Sequence, residues 1–304
     1  MNFKLLLKRM SVAMFFLLFG SFKGIAQDTE NLFRTENDTT IRYYTQLSVG
    51  LVEPIYRDFA TSPLFYNGLG INLNAASIKR SDFRDRVFDF GLGFNMMSAK
   101  VPKSDFIQSG ASALFGHLGF YYHELWKIKA LSNKDYNLKV GGSFITSQHV
   151  RFNQSLENNA VGLENFSNLM ASAQITRDVS RRKTKKLNLF LFKPSLKPVK
   201  RDLRLLVNVG VLNFNFRPGY AYSYDSEIIG TETNPVQWAF SNYSWSLNGW
   251  RAQTHLEFTT YLPNGNARSI AYIWEAANAP GKHEAFQMAS HRIQFAIQFH
   301  TKKR

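Results

Sequence analysis

The sequence contains no cysteine. That excludes a disulfide framework, a thiolate metal site, a cysteine nucleophile and lipid attachment to an N-terminal cysteine. Charge is scarce and lopsided: charged residues make up 19% of the chain, with 22 Asp and Glu against 37 Lys and Arg. Long apolar runs are missing apart from one near the N-terminus, which rules out a polytopic helical membrane protein. Aromatic residues, in contrast, abound. The 27 Phe, 13 Tyr and 5 Trp are far too many for a solvated, disordered coil.

The N-terminus has the layout of an export signal. Lys4, Lys8 and Arg9 precede an apolar run over residues 10–20 (MSVAMFFLLFG), and the small residues Gly24 and Ala26 follow. That order matches a secretory signal peptide over residues 1–26. The alternative, a membrane anchor, is disfavoured because eleven apolar residues fall short of the roughly 20 needed to span. The mature chain is expected to start at Gln27, with a polar leader over 27–40 and the body over 41–304.

Losing that segment removes Lys4, Lys8, Arg9 and Lys23, so the formal charge of +15 becomes about +11. Most of the remainder is local. Residues 177–204 carry eleven Lys and Arg against Asp178 and Asp202. Such a concentration is not a nucleic-acid-binding surface spread over the molecule, and no nucleic-acid partner is expected. Arg181, Arg182, Lys183, Lys185, Lys186, Lys193, Lys197, Lys200 and Arg201 form a candidate patch for anionic lipid or an acidic partner.

The body alternates with period two. Leu47, Val49 and Leu51 interleave with Gln46, Ser48 and Gly50, and Phe88, Phe90, Leu92, Phe94 and Met96 with Asp89, Gly91, Gly93 and Asn95. Trp250 to Phe258 and His291 to Phe299 repeat the pattern most clearly. Period two means strands with one apolar face. Ten candidates lie near 41–52, 67–78, 87–98, 108–122, 136–147, 165–177, 203–216, 245–261, 267–275 and 288–300. Asn264-Gly265 between the eighth and ninth is a strong hairpin signal. Two more candidates, 186–192 (KLNLFLF) and a hairpin over 214–224 about Pro218-Gly219, raise the favoured count from ten to twelve.

A soluble sandwich also alternates. Three features point instead to a membrane barrel. The strands run to ten or more residues, against about 5–6 in soluble sheets. The polar face is rich in Gly, Asn, Gln and Ser, which suits a filled interior, and aromatics gather at strand ends as interfacial girdles do. Lipid offers no partner to backbone amides, so a β chain that spans it must close its edges. The expected fold is all-β: a closed antiparallel transmembrane β-barrel of about twelve strands, ten being the alternative, with a narrow lumen filled by side chains.

The last strand, HRIQFAIQF over 291–299, ends its apolar stripe of Ile293, Phe295, Ile297 and Phe299 on an aromatic residue. With the export signal and the alternating body, this resembles the Gram-negative outer-membrane β-barrel proteins across the whole mature region. The resemblance implies that this stripe is an assembly signal. It also implies short turns and the 27–40 leader on the periplasmic side, contact with outer-membrane lipid including lipopolysaccharide, and other envelope proteins as partners.

Catalytic motifs are lacking: there is no Gly-x-Ser-x-Gly elbow and no His-Glu-x-x-His. His123 and Glu124 are adjacent, so a strand turns them to opposite faces. His117, and His255 with Glu257, read as lumen polar groups. Asp82 and Asp85, interleaved with Arg80, Arg84 and Arg86, read as a solvated ion-paired turn rather than a metal site. Arg251, His255, Glu257 and Arg292 form a candidate lumen charge network on neighbouring late strands. No cofactor, metal or catalytic residue is expected. The expected role is a non-enzymatic structural or accessory subunit of a larger envelope complex of secretion, uptake or barrel-assembly type. A narrow small-solute channel and a lipid-modifying enzyme are the alternatives.

Overall fold

The computed structural model describes residues 41–100, 111–133, 135–153, 156, 161–186, 195–218, 243–280 and 284–301. The signal peptide and the leader therefore lie outside the described residues. The strands are β1 (Arg42–Asp58), β2 (Tyr66–Arg80), β3 (Arg84–Ala99), β4 (Ala111–Lys127), β5 (Tyr136–Phe152), β6 (Val161–Asp178), β7 (Lys185–Lys186), β8 (Ser195–Leu196), β9 (Arg201–Pro218), β10 (Tyr243–Ser246), β11 (Trp250–Tyr261), β12 (Ala267–Ala279) and β13 (Phe286–Thr301). A 3₁₀ turn, Lys129–Leu131, lies between β4 and β5.

All the long strands join one antiparallel sheet, and β1 pairs with both β2 and β13, so the sheet closes on itself. The wall has ten staves. The β10 and β11 strands share one register against β9, from Tyr243↔Pro218 to Thr260↔Arg201, and form a single stave broken at residues 247–249. The favoured count of twelve is thus corrected to the alternative of ten. The wall has no room for more, because β6 pairs directly with β9 and β9 directly with β10 and β11. Lys185–Lys186 pairs instead with Ser195–Leu196 as a short separate ladder, and residues 187–192 of the eleventh candidate lie outside the described residues. The first half of the twelfth, Phe214 to Pro218, belongs to β9; its second half also lies outside them.

The register fixes the shape. Following pairs round the wall from Tyr43 leads through Lys79, Arg86, Glu124, Gly142, Ala171, Val209, Ala252, Ala276 and Ala289 to Ile55. The circuit returns to β1 twelve residues from its start, which is the stagger of the barrel. With strands ~4.8 Å apart rising ~3.3 Å per residue, ten staves so staggered tilt by about 40° and enclose a backbone radius of about 10 Å.

Burial is inverted relative to a soluble sandwich. Outward positions expose Leu47 (54%), Leu73 (54%) and Met96 (66%), while inward Gln298, Glu164 and Thr259 are fully buried. This is the arrangement of a wall bathed in lipid around a polar interior. On β9 the phase changes: Asn208 faces in, but so do Asn213, Asn215 and Arg217. An extra residue at Val211, where the β6–β9 register slips, shifts the alternation by one. Opposite the slip, Gly249 takes a left-handed φ of 101° at the break in the β10–β11 stave, and Asn213 Nδ2 donates to its carbonyl at 2.8 Å.

Both ends of the described chain, Ile41 and Thr301, lie at one rim, called here the terminal rim. It also carries the short turns at 81–83 and 262–266. In the latter Gly265 has φ 84° and the Leu262 N–H donates to the Asn266 carbonyl at 2.8 Å. The strand ends Asp58 and Tyr66, Ala99 and Ala111, Phe152 and Val161, Pro218 and Tyr243, and Ala279 and Phe286 lie at the opposite, distal rim.

Candidate functional site

Three polar and aromatic layers fill the lumen. Nearest the terminal rim, buried Asp85 accepts Lys139 Nζ at 2.7 Å and Gln174 Nε2 at 2.8 Å, and Arg80 Nε lies 3.7 Å away. One level deeper, Arg204 Nη1 donates to Glu257 Oε2 at 2.5 Å, and Gln298 Nε2 donates to Glu257 Oε1 at 3.2 Å and Gln46 Oε1 at 2.9 Å. A mouth of about 250 Å³ opens here, lined by Arg42, Asp82, Asp178, Lys200 and Asp202 among others.

The middle layer turns on Arg251 and Glu275. Arg251 Nη2 and Nε donate to Glu275 Oε1 at 2.6 and 3.0 Å, Nη1 donates to Asn168 Oδ1 at 3.1 Å, and Nη2 also donates to Ser147 Oγ at 2.7 Å. Tyr121 Oη and Gln253 Nε2 satisfy Glu275 Oε2, each at 3.2 Å. A cavity of about 70 Å³ beside them is lined by His123, His255, Asn208 and Arg292. It has room for a few waters and no more.

At the distal end the interior becomes a small core. Tyr56, Tyr66, Phe115, Phe166 and Phe286 pack together, with Tyr56 and Tyr66 stacked at 5.0 Å. Arg151 bridges Asp58, at 2.6 Å, and Glu164, and lies over the Tyr56 and Phe286 rings. Arg217 reaches Asp58 at 2.9 Å and caps the carbonyls of Ala279 and Glu284 at 2.8 and 2.7 Å. A charge this deep is tolerated only when it is paired and hydrogen-bonded, and each of these is.

The four candidate network residues all face the lumen, but the structure does not join them into one network. Arg251 pairs with Glu275 and Glu257 with Arg204, while Arg292 donates to Asn72 at 2.9 Å. His255 Nε2 is buried and has no hydrogen-bond partner among the described residues. Sequence reasoning missed the main partners: Asp58, Asp85, Lys139, Arg151, Glu164, Arg204, Arg217 and Glu275. Each occupies the polar phase of its strand, which is the signal that could have found them. Asp85 is a correction in its own right: it is 2% exposed and faces inward, not into a solvated turn. His123 faces the cavity and Glu124 the outside, where it pairs with Arg84 and Arg86. No three His, Asp or Glu among the described residues gather as a metal site.

The basic connection between β6 and β9 leaves the terminal rim. Its base is held by the Val179 N–H to the Arg201 carbonyl at 2.9 Å and by paired Arg181–Val199 backbone bonds at 2.9 and 2.8 Å. Arg182, Lys183, Lys185, Lys186 and Lys197 stand exposed, while Lys200 Nζ lies over the Tyr261 ring at the lumen mouth. Lys193 lies outside the described residues. Ile293, Phe295, Ile297 and Phe299 line the outer face of β13 between β1 and β12.

No family model matches the chain, and no curated protein does. Several solved structures resemble it in part. The Ail attachment invasion locus protein of Yersinia pestis is 9% identical, over 84% of this chain and 98% of that one, with a TM-score of 0.29. The translocator domain of the autotransporter NalP from Neisseria meningitidis is 10% identical, over 85% and 88%, with a TM-score of 0.35. The transport unit of the autotransporter AIDA-I from Escherichia coli is 9% identical, over 95% and 97%, with a TM-score of 0.33. At these scores the role of the chain rests on its own geometry.

Proposed function

We propose that this chain is an outer-membrane barrel of the Gram-negative envelope that conducts no solute. In this reading it is a non-enzymatic structural or accessory subunit of a larger envelope assembly, docking an acidic partner through the 179–200 connection on its periplasmic rim. The observation that supports this reading is the filled lumen. The mouth at the terminal rim is lined by Arg80, Asp85, Lys139 and Arg204, and the Arg251–Glu275 pair and the Tyr56–Phe286 core fill the lumen deeper in. With the interior occupied, the exposed Arg182, Lys183, Lys185, Lys186 and Lys197 of the basic connection are the groups this reading offers to a partner. The short turns and both described ends share its rim, as the periplasmic side of such barrels requires.

Planar-bilayer recordings of the refolded protein test the first half: baseline current supports the reading, and steady unitary steps favour a channel. A gentle-detergent pull-down tests the second half. A partner lost from Lys183→Glu/Lys185→Glu/Lys186→Glu but kept by Lys127→Glu supports docking at the connection. Lipid turnover by the purified protein that disappears in His117→Ala or His255→Ala would replace both halves with an enzyme.

A further inference from the structure

The chamber in the middle of the lumen carries more donors than acceptors. Arg80, Arg204 and Arg292 line it, and Asp89 is the carboxylate that lines it with them. Arg80 and Arg204 also line the mouth, so they stand between the mouth and the chamber. Among the described residues, Nε and Nη1 of Arg80, Nε and Nη2 of Arg204 and Nε of Arg292 are buried without an acceptor. Arg204 is only 6% exposed. On the same lining, Gln294 Oε1 is the buried acceptor without a donor, and His255 Nε2 donates in its Nε2–H tautomer. Water can accept from such donors, but each molecule brings two protons that need acceptors in turn.

Charge is in surplus too. Arg204 pairs with Glu257, whereas Arg80 and Lys139 share Asp85. Arg292 donates to the neutral Asn72 at 2.9 Å, and Asp89 accepts from the neutral Asn74 at 2.8 Å. The contacts of Arg292 and Asp89 are thus with amides rather than with each other. Around the chamber, Arg80, Lys139, Arg204 and Arg292 face Asp85, Asp89 and Glu257, which leaves one cation over. The adjoining Arg251–Glu275 pair cancels itself. All three lining guanidinium groups lie within electrostatic reach of the His255 ring, as does Glu257. A buried charge without its counter-charge is costly.

We infer that the chamber is a binding site for one small monovalent inorganic anion, a halide, held by Arg292, Arg204 and Arg80 with His255. A halide accepts from every side and donates nothing, which matches the surplus of N–H groups. It also cancels the cation left over. The cavity of about 70 Å³ admits an ion little larger than a water molecule and is too small for an organic phosphate. The ion is a fixed part of the lumen filling, not cargo. The site shares no residue with the exposed lysines of the connection, so the inference goes beyond the proposed function and stands apart from partner docking.

The test refolds the whole barrel in a non-ionic detergent, in sodium bromide or in sodium isethionate at one ionic strength. Isethionate is too large for the chamber. Crystals grown from bromide are measured at the bromine absorption edge, where bromide gives an anomalous signal and water gives none. A peak between Arg292 and Arg204 is expected. Thermal unfolding of the barrel should shift upward as bromide replaces isethionate. Arg292→Gln should raise the half-saturating bromide concentration roughly tenfold, and Asp89→Asn, which removes the lining carboxylate, should lower it roughly tenfold. Lys185→Gln/Lys186→Gln should behave as wild type. Heat-modifiable gel migration verifies that each variant is folded. A chamber without an anomalous peak overturns the inference, and so does bromide seated only at the mouth or on the connection. Equal bromide dependence in wild type and Arg292→Gln also overturns it, because the stabilisation would then be a general salt effect. Weaker bromide binding in Asp89→Asn overturns the charge argument and the site with it.

Discussion

Replacing Arg251 by Met tests whether the middle layer holds the barrel together. Arg251 ties β11 to β12 through Glu275, to β6 through Asn168 and to β5 through Ser147. Its side chain is almost wholly enclosed. Removing one member of a buried ion pair costs about 3–5 kcal/mol, because the survivor is left as an uncompensated charge. Glu275 keeps Tyr121 and Gln253 as donors, which places Arg251→Met near the lower end, about 3 kcal/mol. Glu275→Gln should cost a similar ~3 kcal/mol by stranding Arg251. The double variant removes both charges and keeps a side-chain amide for Tyr121 and Gln253, so it should lose only about 1–2 kcal/mol, a coupling of roughly 4 kcal/mol between the two sites. Urea unfolding in detergent micelles, followed by tryptophan fluorescence and by gel migration, measures all four proteins. The reasoning is refuted if Arg251→Met costs less than about 1 kcal/mol, or if the double variant loses the sum of the singles.

Val49→Arg on the outer face should destabilise the folded barrel by about 2–4 kcal/mol in lipid, whereas Gln46 on the neighbouring inward phase should tolerate Asn far better; unfolding midpoints in vesicles decide this. Gly249→Ala meets both a positive φ and the Asn278 carbonyl 2.2 Å from the added Cβ, and should cost about 1–3 kcal/mol with loss of β10 pairing by hydrogen exchange. Arg292→Ala should leave bilayer current at baseline, because the Arg251–Glu275 layer and the distal core remain in place. Anion-selective steps in that variant would mean that Arg292 is the gate of a pore.

Much of this was legible in the chain because a barrel wall writes its geometry as a simple alternation. Trp250 to Phe258 and His291 to Phe299 sit in the wall in the phase the sequence indicates, and Asn264-Gly265 makes the turn it announces. The stave count was overestimated at KLNLFLF because alternation reports amphipathicity, not whether a neighbouring edge is free; β9 already occupies the edge of β6. The charge pairs were harder still. Arg251 and Glu257 share a face of β11, yet a partner inside a cylinder comes from whichever stave the stagger brings level with it. Neighbouring-stave register already sets Arg204 opposite Glu257 and Glu275 diagonal to Arg251, whereas Ser147 of β5 meets Arg251 from across the lumen. The slip at Val211 was visible only as the change from inward Asn208 to inward Asn213 and Asn215.

The interior links argue for where activity is to be sought. Lys139 and Gln174 reach across to Asp85, Arg151 and Arg217 to Asp58, and Arg251 to Ser147, so each layer joins staves that are not neighbours in the wall. Among the described residues, every group closing the lumen through these pairs belongs to a stave, and none to a loop or plug that could swing aside. A passage would require several buried ion pairs on different staves to break together, each at about 3–5 kcal/mol. A backbone cylinder of about 10 Å radius gives the displaced side chains no place to go inside. In the proposed reading the molecule is a rigid post in the membrane, and the exposed lysines of the 179–200 connection face whatever meets its terminal rim.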